Sequence, residues 1–279
     1  MRLAIDHATT YRFAGPIRQG QQRLRLTPVA SRGQSVIAWD IDCDGAQVEV
    51  GYDDEYTNRV TMVGLTPGTR EVTIRAHGLV ETRDEAGMVG RHAGYLPLWH
   101  FTRDTALTAR GAGIETLVAG LHDSAAGDRL DTLHALTERV RAAVVYAQGH
   151  TDVGTTAEAA LIAGRGVCQD QAHVFIAGAR ALGIPARYVS GYMLIDGREE
   201  QDAGHGWAEG FVAGLGWIGF DVANAICPDD RYVRVACGRD YRDAAPVKSM
   251  TYALPPVDRG ASAGDTLTTT LIVRIATPA

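Results

Sequence analysis

The chain has 279 residues, of which 46% are apolar and 22% charged, and its formal net charge at pH 7 is −6. Such a chain can bury one large core or two. Its acidic balance, without any basic stripe, argues against nucleic acid as the main partner. No run approaches the roughly 20 apolar residues of a membrane-spanning helix, and Met1-Arg2-Leu3-Ala4-Ile5-Asp6-His7 lacks the apolar centre of a signal peptide. The expected location is therefore cytoplasmic, with no membrane partner.

Taken in order, residues 1–100 read as β structure. Ala4–Phe13 ends at Gly15-Pro16, and Gln21–Pro28 alternates polar and apolar. Ser35–Asp42, Gln47–Tyr52, Arg59–Val63 and Arg70–Leu79 follow, punctuated by glycine, proline and aspartate. Short strands at this spacing predict an antiparallel sandwich or barrel. His7, His77, His92 and His100 stand alone here and are read as structural. Leu96–Phe101 looks like a connector, after which the apolar period becomes helical. Helices are expected over 109–121, 128–146, 156–162 (with Thr156 as a cap) and 168–182. Strands are expected over 187–195, 205–212, 217–222 and 266–275. A β domain over 1–100 followed by helices and then sheet over 101–279 is an α+β arrangement.

The chemistry gathers around Gly164-Arg165-Gly166-Val167-Cys168-Gln169-Asp170-Gln171-Ala172-His173. A glycine-bracketed loop runs into a cysteine in the first turn of a helix. Unpaired backbone N–H groups and the helix dipole favour a thiolate there. Cys43, Cys227 and Cys237 are read as small buried hydrophobes. With no CxxC or close Cys/His cluster, neither a metal nor any other cofactor is expected. His205 opens one predicted strand and Asp221 ends the next, so a nucleophile, a base and an orienting carboxylate are available. Backbone N–H groups at the helix start, that of Cys168 included, are candidate oxyanion donors.

Gln169, Asp170, Trp207 and Gly166 are further candidates for the oxyanion site or pocket, with Asp170 equally readable as a helix-end charge. The glycines near His205 would let a substrate backbone approach closely. His173 is a rival base, but five residues of helix turn it about 140° away from Cys168, which suits packing better. One geometric condition follows for the pair on the strands. Side chains alternate faces, so His205 and Asp221 share a face only if the turn at Ala213-Gly214-Leu215-Gly216 has an odd loop or a bulge.

These segments together resemble the transglutaminase-like superfamily, whose cores are papain-like. GRGVCQDQAH looks like its cysteine motif and HGWAEGFVAGLGWIGFDVAN like its histidine–tryptophan and aspartate motifs. HATTYRFAGPIRQGQQRLRLTP is similar to the N-terminal β domain of bacterial members, LPLWHFTRDTALT to the join, and CGRDYRDAAPVKSM to the C-terminal GRDY segment. The resemblance implies a β-sandwich-like domain before a cysteine-bearing helix packed on an antiparallel sheet. It also implies Cys168 as nucleophile, His205 as base and Asp221 as orienting carboxylate. Nothing resembles the acidic calcium loops of animal members. Asp54-Glu55-Tyr56-Thr57-Asn58 departs from a familiar acid, aromatic, glycine, asparagine pattern, and Lys248–Tyr252 stands where a glycine is common. The activity expected is amide hydrolysis through a thioester, on a peptide or protein substrate with an amide or isopeptide bond. A protein-glutamine amine transferase with the same triad, or a non-catalytic binding module, are the alternatives.

Overall fold

The computed structural model describes residues 1–121, 128–253 and 265–276. Seven strands occupy the first part: β1 (Arg2–Arg12), β2 (Ile17–Thr27), β3 (Gln34–Asp44), β4 (Ala46–Asp53), β5 (Arg59–Leu65), β6 (Glu71–Thr82) and β7 (Met88–Gly90). Helices follow at Ala112–Val118, Arg129–Ala143, Ala157–Ala163 and Cys168–Ala181. Two short strands lie between them, β8 (Val145–Tyr146) and β9 (Arg165–Gly166). Then come β10 (Ala186–Met193), β11 (Glu200–Gln201), β12 (His205–Val212), β13 (Gly216–Phe220) and β14 (Tyr232–Gly238). A turn of helix at Tyr241–Ala244 precedes β15 (Val247–Ala253) and β16 (Thr266–Ile275).

The β-rich part is a sandwich. One sheet has the order β11-β16-β1-β6-β3 and the other β15-β2-β5-β4. Leu24, Leu26, Val63 and Leu65 of the second sheet meet Val72, Ile74 and Ala76 of the first. Each such aliphatic side chain contributes about 1.5–3 kcal/mol when fully buried. Alternation along β1 buries Leu3, Ile5, His7 and Thr9 on one face. Leu3 and Ile5, with Leu271 and Val273, pack on Tyr192, Leu194, Val233 and Val235 of the next sheet.

That next sheet runs β14-β10-β12-β13-β7. The helices also pack on this sheet, with Phe175, Ile176 and Ala179 of the cysteine helix against Ala186, Ala208 and Phe220. From Asp170 to Arg180 every residue of this helix is buried, as expected of a helix enclosed on all sides. Among the described residues no helix is long and apolar enough to cross a membrane.

The structure differs from the sequence reading in several places. The helix expected over 128–146 stops at Ala143, because Val145 and Tyr146 pair in parallel with Arg165 and Gly166. Tyr232–Gly238 is an additional strand beside β10. Most of its residues are buried, and Arg234 interrupts the apolar run. Sheet membership, finally, does not follow the expected division of 1–100 from 101–279. β16 lies along β1 from Leu3↔Ile275 to Arg12↔Thr266, β15 lies along β2, and β7 pairs with β13. An uncovered sheet edge is a template for wrong pairing, and these crossings cover β1 and β2.

Candidate active site

Cys168 is the first residue of its helix, and the loop before it is held from behind. The Asp170 Oδ2 accepts the Val167 backbone N–H at 2.7 Å and the Thr151 hydroxyl at 2.7 Å. Burial pushes the Asp170 carboxyl up, against the pull of those two donors. Gly166 is needed because a Cβ there would come within 2.6 Å of the Asp170 Cβ. Neither residue borders the cleft. Of the pocket candidates, Asp170 and Gly166 therefore fix the cysteine loop, and only Gln169 lines the cavity beside Cys168.

His205 and Asp221 meet through a three-residue turn. The register from Ala208↔Phe220 to Val212↔Gly216 leaves Ala213, Gly214 and Leu215 as the loop. Gly214 and Gly216 take φ values of 87° and 93° there, which glycine adopts without strain. The same register carried one step on sets Asp221 across from Trp207. His205, two residues from Trp207, is on the same face. The odd loop required by the side-chain alternation is present. His205 Nε2 lies 2.6 Å from Asp221 Oδ2, with the two side chains 11% and 1% exposed.

Two further groups hold the carboxylate. Asn224 donates its side-chain amide to Asp221 Oδ2 at 2.7 Å and its backbone N–H to Oδ1 at 3.2 Å. The Tyr232 hydroxyl donates to Oδ2 at 2.7 Å. Burial favours a neutral imidazole, but the Asp221 hydrogen bond and the neighbouring Cys168 outweigh it and raise the His205 pKa to about 10. Asp221 is held below the usual carboxylate range: burial opposes ionisation, and the His205, Asn224 and Tyr232 bonds overcome it. With Nε2 committed to Asp221, Nδ1 is the ring nitrogen left for the thiol. The residues assembled here can keep a proton on an imidazole between a carboxylate and a sulfur.

Cavities open on both sides of the pair. One, of 350 Å³, is bordered by Tyr188, Tyr192, Tyr241 and Gln169 and reaches the sandwich at His7, Arg25 and Leu26. The other, of 450 Å³, is bordered by Met193, Arg198, Gln201, Asp202 and Asn224. Cys168, His205, Tyr146, Gln148, Ala203 and Gly204 border both. Gly206 has no room for a side chain, because a Cβ would run into the Tyr188 hydroxyl. Gly206 is thus required by Tyr188, whereas Gly204, on the other side of His205, borders both cavities. Trp207 does not border the cleft at Cys168: 3% exposed, it stacks behind His205 with ring centroids 6.1 Å apart.

His173 is fully buried, and its Nε2 accepts the Tyr241 backbone N–H at 3.1 Å. Desolvation, then the charge of Arg180, lowers its pKa to about 3, so it packs and does not act as a base. His7, read as structural, hydrogen bonds Tyr192 and Thr9 at 3.0 and 3.2 Å, yet it also borders the cleft. Neither Asn224, which closes the quoted aspartate motif, nor Tyr232 is given a role by the sequence reading. Asn224 carries a signal, since a polar residue three places after an aspartate is the pattern of a side-chain-closed turn. Tyr232 carries none beyond strand alternation. Among the described residues no three His, Cys, Asp or Glu side chains gather where a metal ion would fit.

Residues 115–222 match the model of the transglutaminase-like superfamily, and residues 3–81 that of the bacterial transglutaminase-like N-terminal region. An uncharacterised protein of Mycobacterium leprae is 29% identical over 265 residues, covering 89% of this chain and 92% of its own length. Another, from Mycobacterium tuberculosis, is 29% identical over 275 residues, covering 90% and 88%. Among solved structures, a candidate cysteine protease from Cytophaga hutchinsonii superposes with a TM-score of 0.72 at 21% identity, over 100% of this chain and 93% of that one. At that identity the likeness is one of fold.

Proposed function

Because this chain belongs to the transglutaminase-like superfamily, we propose that it is a cysteine-dependent amide hydrolase of peptide or protein substrates. The reading rests above all on one observation: His205, bound to Asp221 at 2.6 Å, shares a cleft with a cysteine at a helix start. In the proposed cycle the Cys168 sulfur, its proton transferred to His205 Nδ1, attacks the amide carbon. The carbonyl π electrons move onto oxygen, where the Cys168 backbone N–H is a candidate donor. Collapse breaks the C–N bond, and His205 gives its proton to the departing amine, leaving a thioester. Water, deprotonated by His205, then attacks the thioester and releases the acid and the thiol. Asp221 keeps the imidazole oriented throughout, and Asn224 and Tyr232 keep Asp221 oriented.

A transferase, in which an amine replaces water, uses the same residues. The polar cavity at Arg198, Gln201 and Asp202 favours it as the second reading, since an acceptor has room there. The test is intact mass after brief iodoacetamide treatment near pH 6, with wild type beside His205→Ala. The proposal expects one rapid adduct on Cys168 that slows in the variant. Reaction no faster than at Cys43 or Cys227, or indifference to His205, would leave a binding module on this fold. Peptide amides with and without amine acceptors then separate hydrolysis from transfer.

A further inference from the structure

The cavity on the sandwich side of Cys168 has a charged wall residue that amide cleavage does not use. Arg25 on β2 is 3% exposed and borders this space. Its Nε donates to Asp54 Oδ2 at 2.8 Å. That carboxylate is shared: it also accepts the backbone N–H groups of Tyr56 and Asn58 and the Asn58 side-chain amide. Asp54 thus clamps the guanidinium by its Nε, while the buried Nη1 has no hydrogen-bond partner among the described residues. Leaving a buried donor unmatched costs about 1–3 kcal/mol, and more when it is charged.

The surroundings select the sign of what would satisfy it. Although the chain carries a net charge of −6, no aspartate or glutamate among the described residues borders this cavity. The other cation on its wall is His205, and His7 is kept neutral by burial, with a pKa lowered to about 4. A planar guanidinium that borders the cavity, clamped at Nε and unmatched at Nη1, has the geometry to pair with the two oxygens of a carboxylate.

We propose that Arg25 makes this wall a carboxylate-binding subsite, so that the amide substrate carries a carboxylate beside its scissile bond. The proposal rests on the hydrolase reading and gives the sandwich a direct part in selecting substrate. The carboxylate has two sources, an acidic side chain or a free peptide C-terminus.

The experiment measures the rate of Cys168 alkylation by iodoacetamide in the full chain, with glutarate or its neutral analogue glutaramide as protecting probe. Cys43 and Cys227 serve as internal references. Glutarate is expected to half-protect Cys168 at a concentration at least about tenfold lower than glutaramide, the worth of one charge-assisted hydrogen bond. That advantage should vanish in Arg25→Gln. Equal protection by the two probes in wild type overturns the proposal and needs no variant. So does an advantage that survives in Arg25→Gln. If that variant fails to fold, Arg25→Met keeps the aliphatic stem without the charge, and an undiminished advantage there is equally fatal.

Peptide amides with a glutamate beside the scissile bond, or with a free C-terminal carboxylate there, are compared with neutral versions. The arm that shows the lower KM identifies the source, and no difference in either arm refutes the subsite. Fast, His205-dependent alkylation without a glutarate advantage would sink the subsite alone. Slow alkylation of Cys168 would strike the hydrolase reading.

Discussion

Lowering the pH from 7 to 5 should destabilise this fold through His173, a residue outside the catalytic pair. The ring is fully buried, and its pKa falls from 6.5 to about 3. A depressed histidine pKa means that the unfolded chain binds the proton more tightly than the folded one. Its stability contribution is thus complete above about 6.5 and erodes as pH falls toward about 3. At pH 5 the unfolded histidine is about 1.5 units below its own pKa while the folded ring is still neutral, which is about 2 kcal/mol. His7, lowered to about 4 by burial, adds a similar amount by the same argument. The perturbation is His173→Gln, whose Oε1 can still accept the Tyr241 N–H but cannot be protonated. Urea unfolding followed by tryptophan fluorescence at pH 7 and pH 5 is the assay. Between those pH values the variant should lose about 2 kcal/mol less stability than wild type, since every other group titrates alike in both. Parallel losses would refute the reasoning.

Three further outcomes follow from the same contacts. Asp221→Asn keeps a polar group against His205 but removes the charge that holds its proton. Amide turnover should fall roughly 10³- to 10⁴-fold, and Cys168 alkylation at pH 6 should slow with it; unchanged alkylation would remove Asp221 from the orienting role. Tyr232→Phe deletes one hydrogen bond to that buried carboxylate. About 1.4 kcal/mol, or tenfold in kcat, is expected, with the acid limb of the pH–rate profile moved and little change in KM. Thr57 takes a φ of 65°, in the left-handed region that costs a side chain about 1–2 kcal/mol. Thr57→Gly gives up the Thr57 hydroxyl bond to the Tyr56 carbonyl and some chain entropy. A net gain of about 0.5 kcal/mol in thermal unfolding is expected, and destabilisation would show that the hydroxyl bond outweighs the strain.

Local periodicity made the site legible. A glycine loop running into an apolar, alanine-rich stretch of helical period has one good solution, a helix beginning at Cys168. Strand alternation turned a question about His205 and Asp221 into a count of loop residues. What stayed hidden depends on partners far away in the chain. Arg180 donates to the carbonyls of Phe101, Ala186 and Arg239 and to the Thr108 hydroxyl. Glu209 is fully buried between Arg187 and Arg234. No spacing within one segment announces such pairings, because each partner is an ordinary polar residue in its own context. Asp170 stayed open between two readings for a different reason. A carboxylate in the first turn of a helix can face a ligand or its own loop, and the presence of Gly166 to make room for it decides the matter only in three dimensions.

The pairing of β15 with β2 and of β16 with β1 also sets a timetable. On the ribosome, β1 and β2 emerge early, while the strands that cover them arrive almost a chain length later. Contacts of such long separation make folding slow, and until they form the nascent sandwich has raw edges open to neighbouring chains. His7 and Arg25, which wall the cleft beside Cys168, sit on the two strands that wait. The thiol is therefore synthesised well before its cleft is walled, and a chain cut short before Val247 should accumulate as an aggregating species with no formed site.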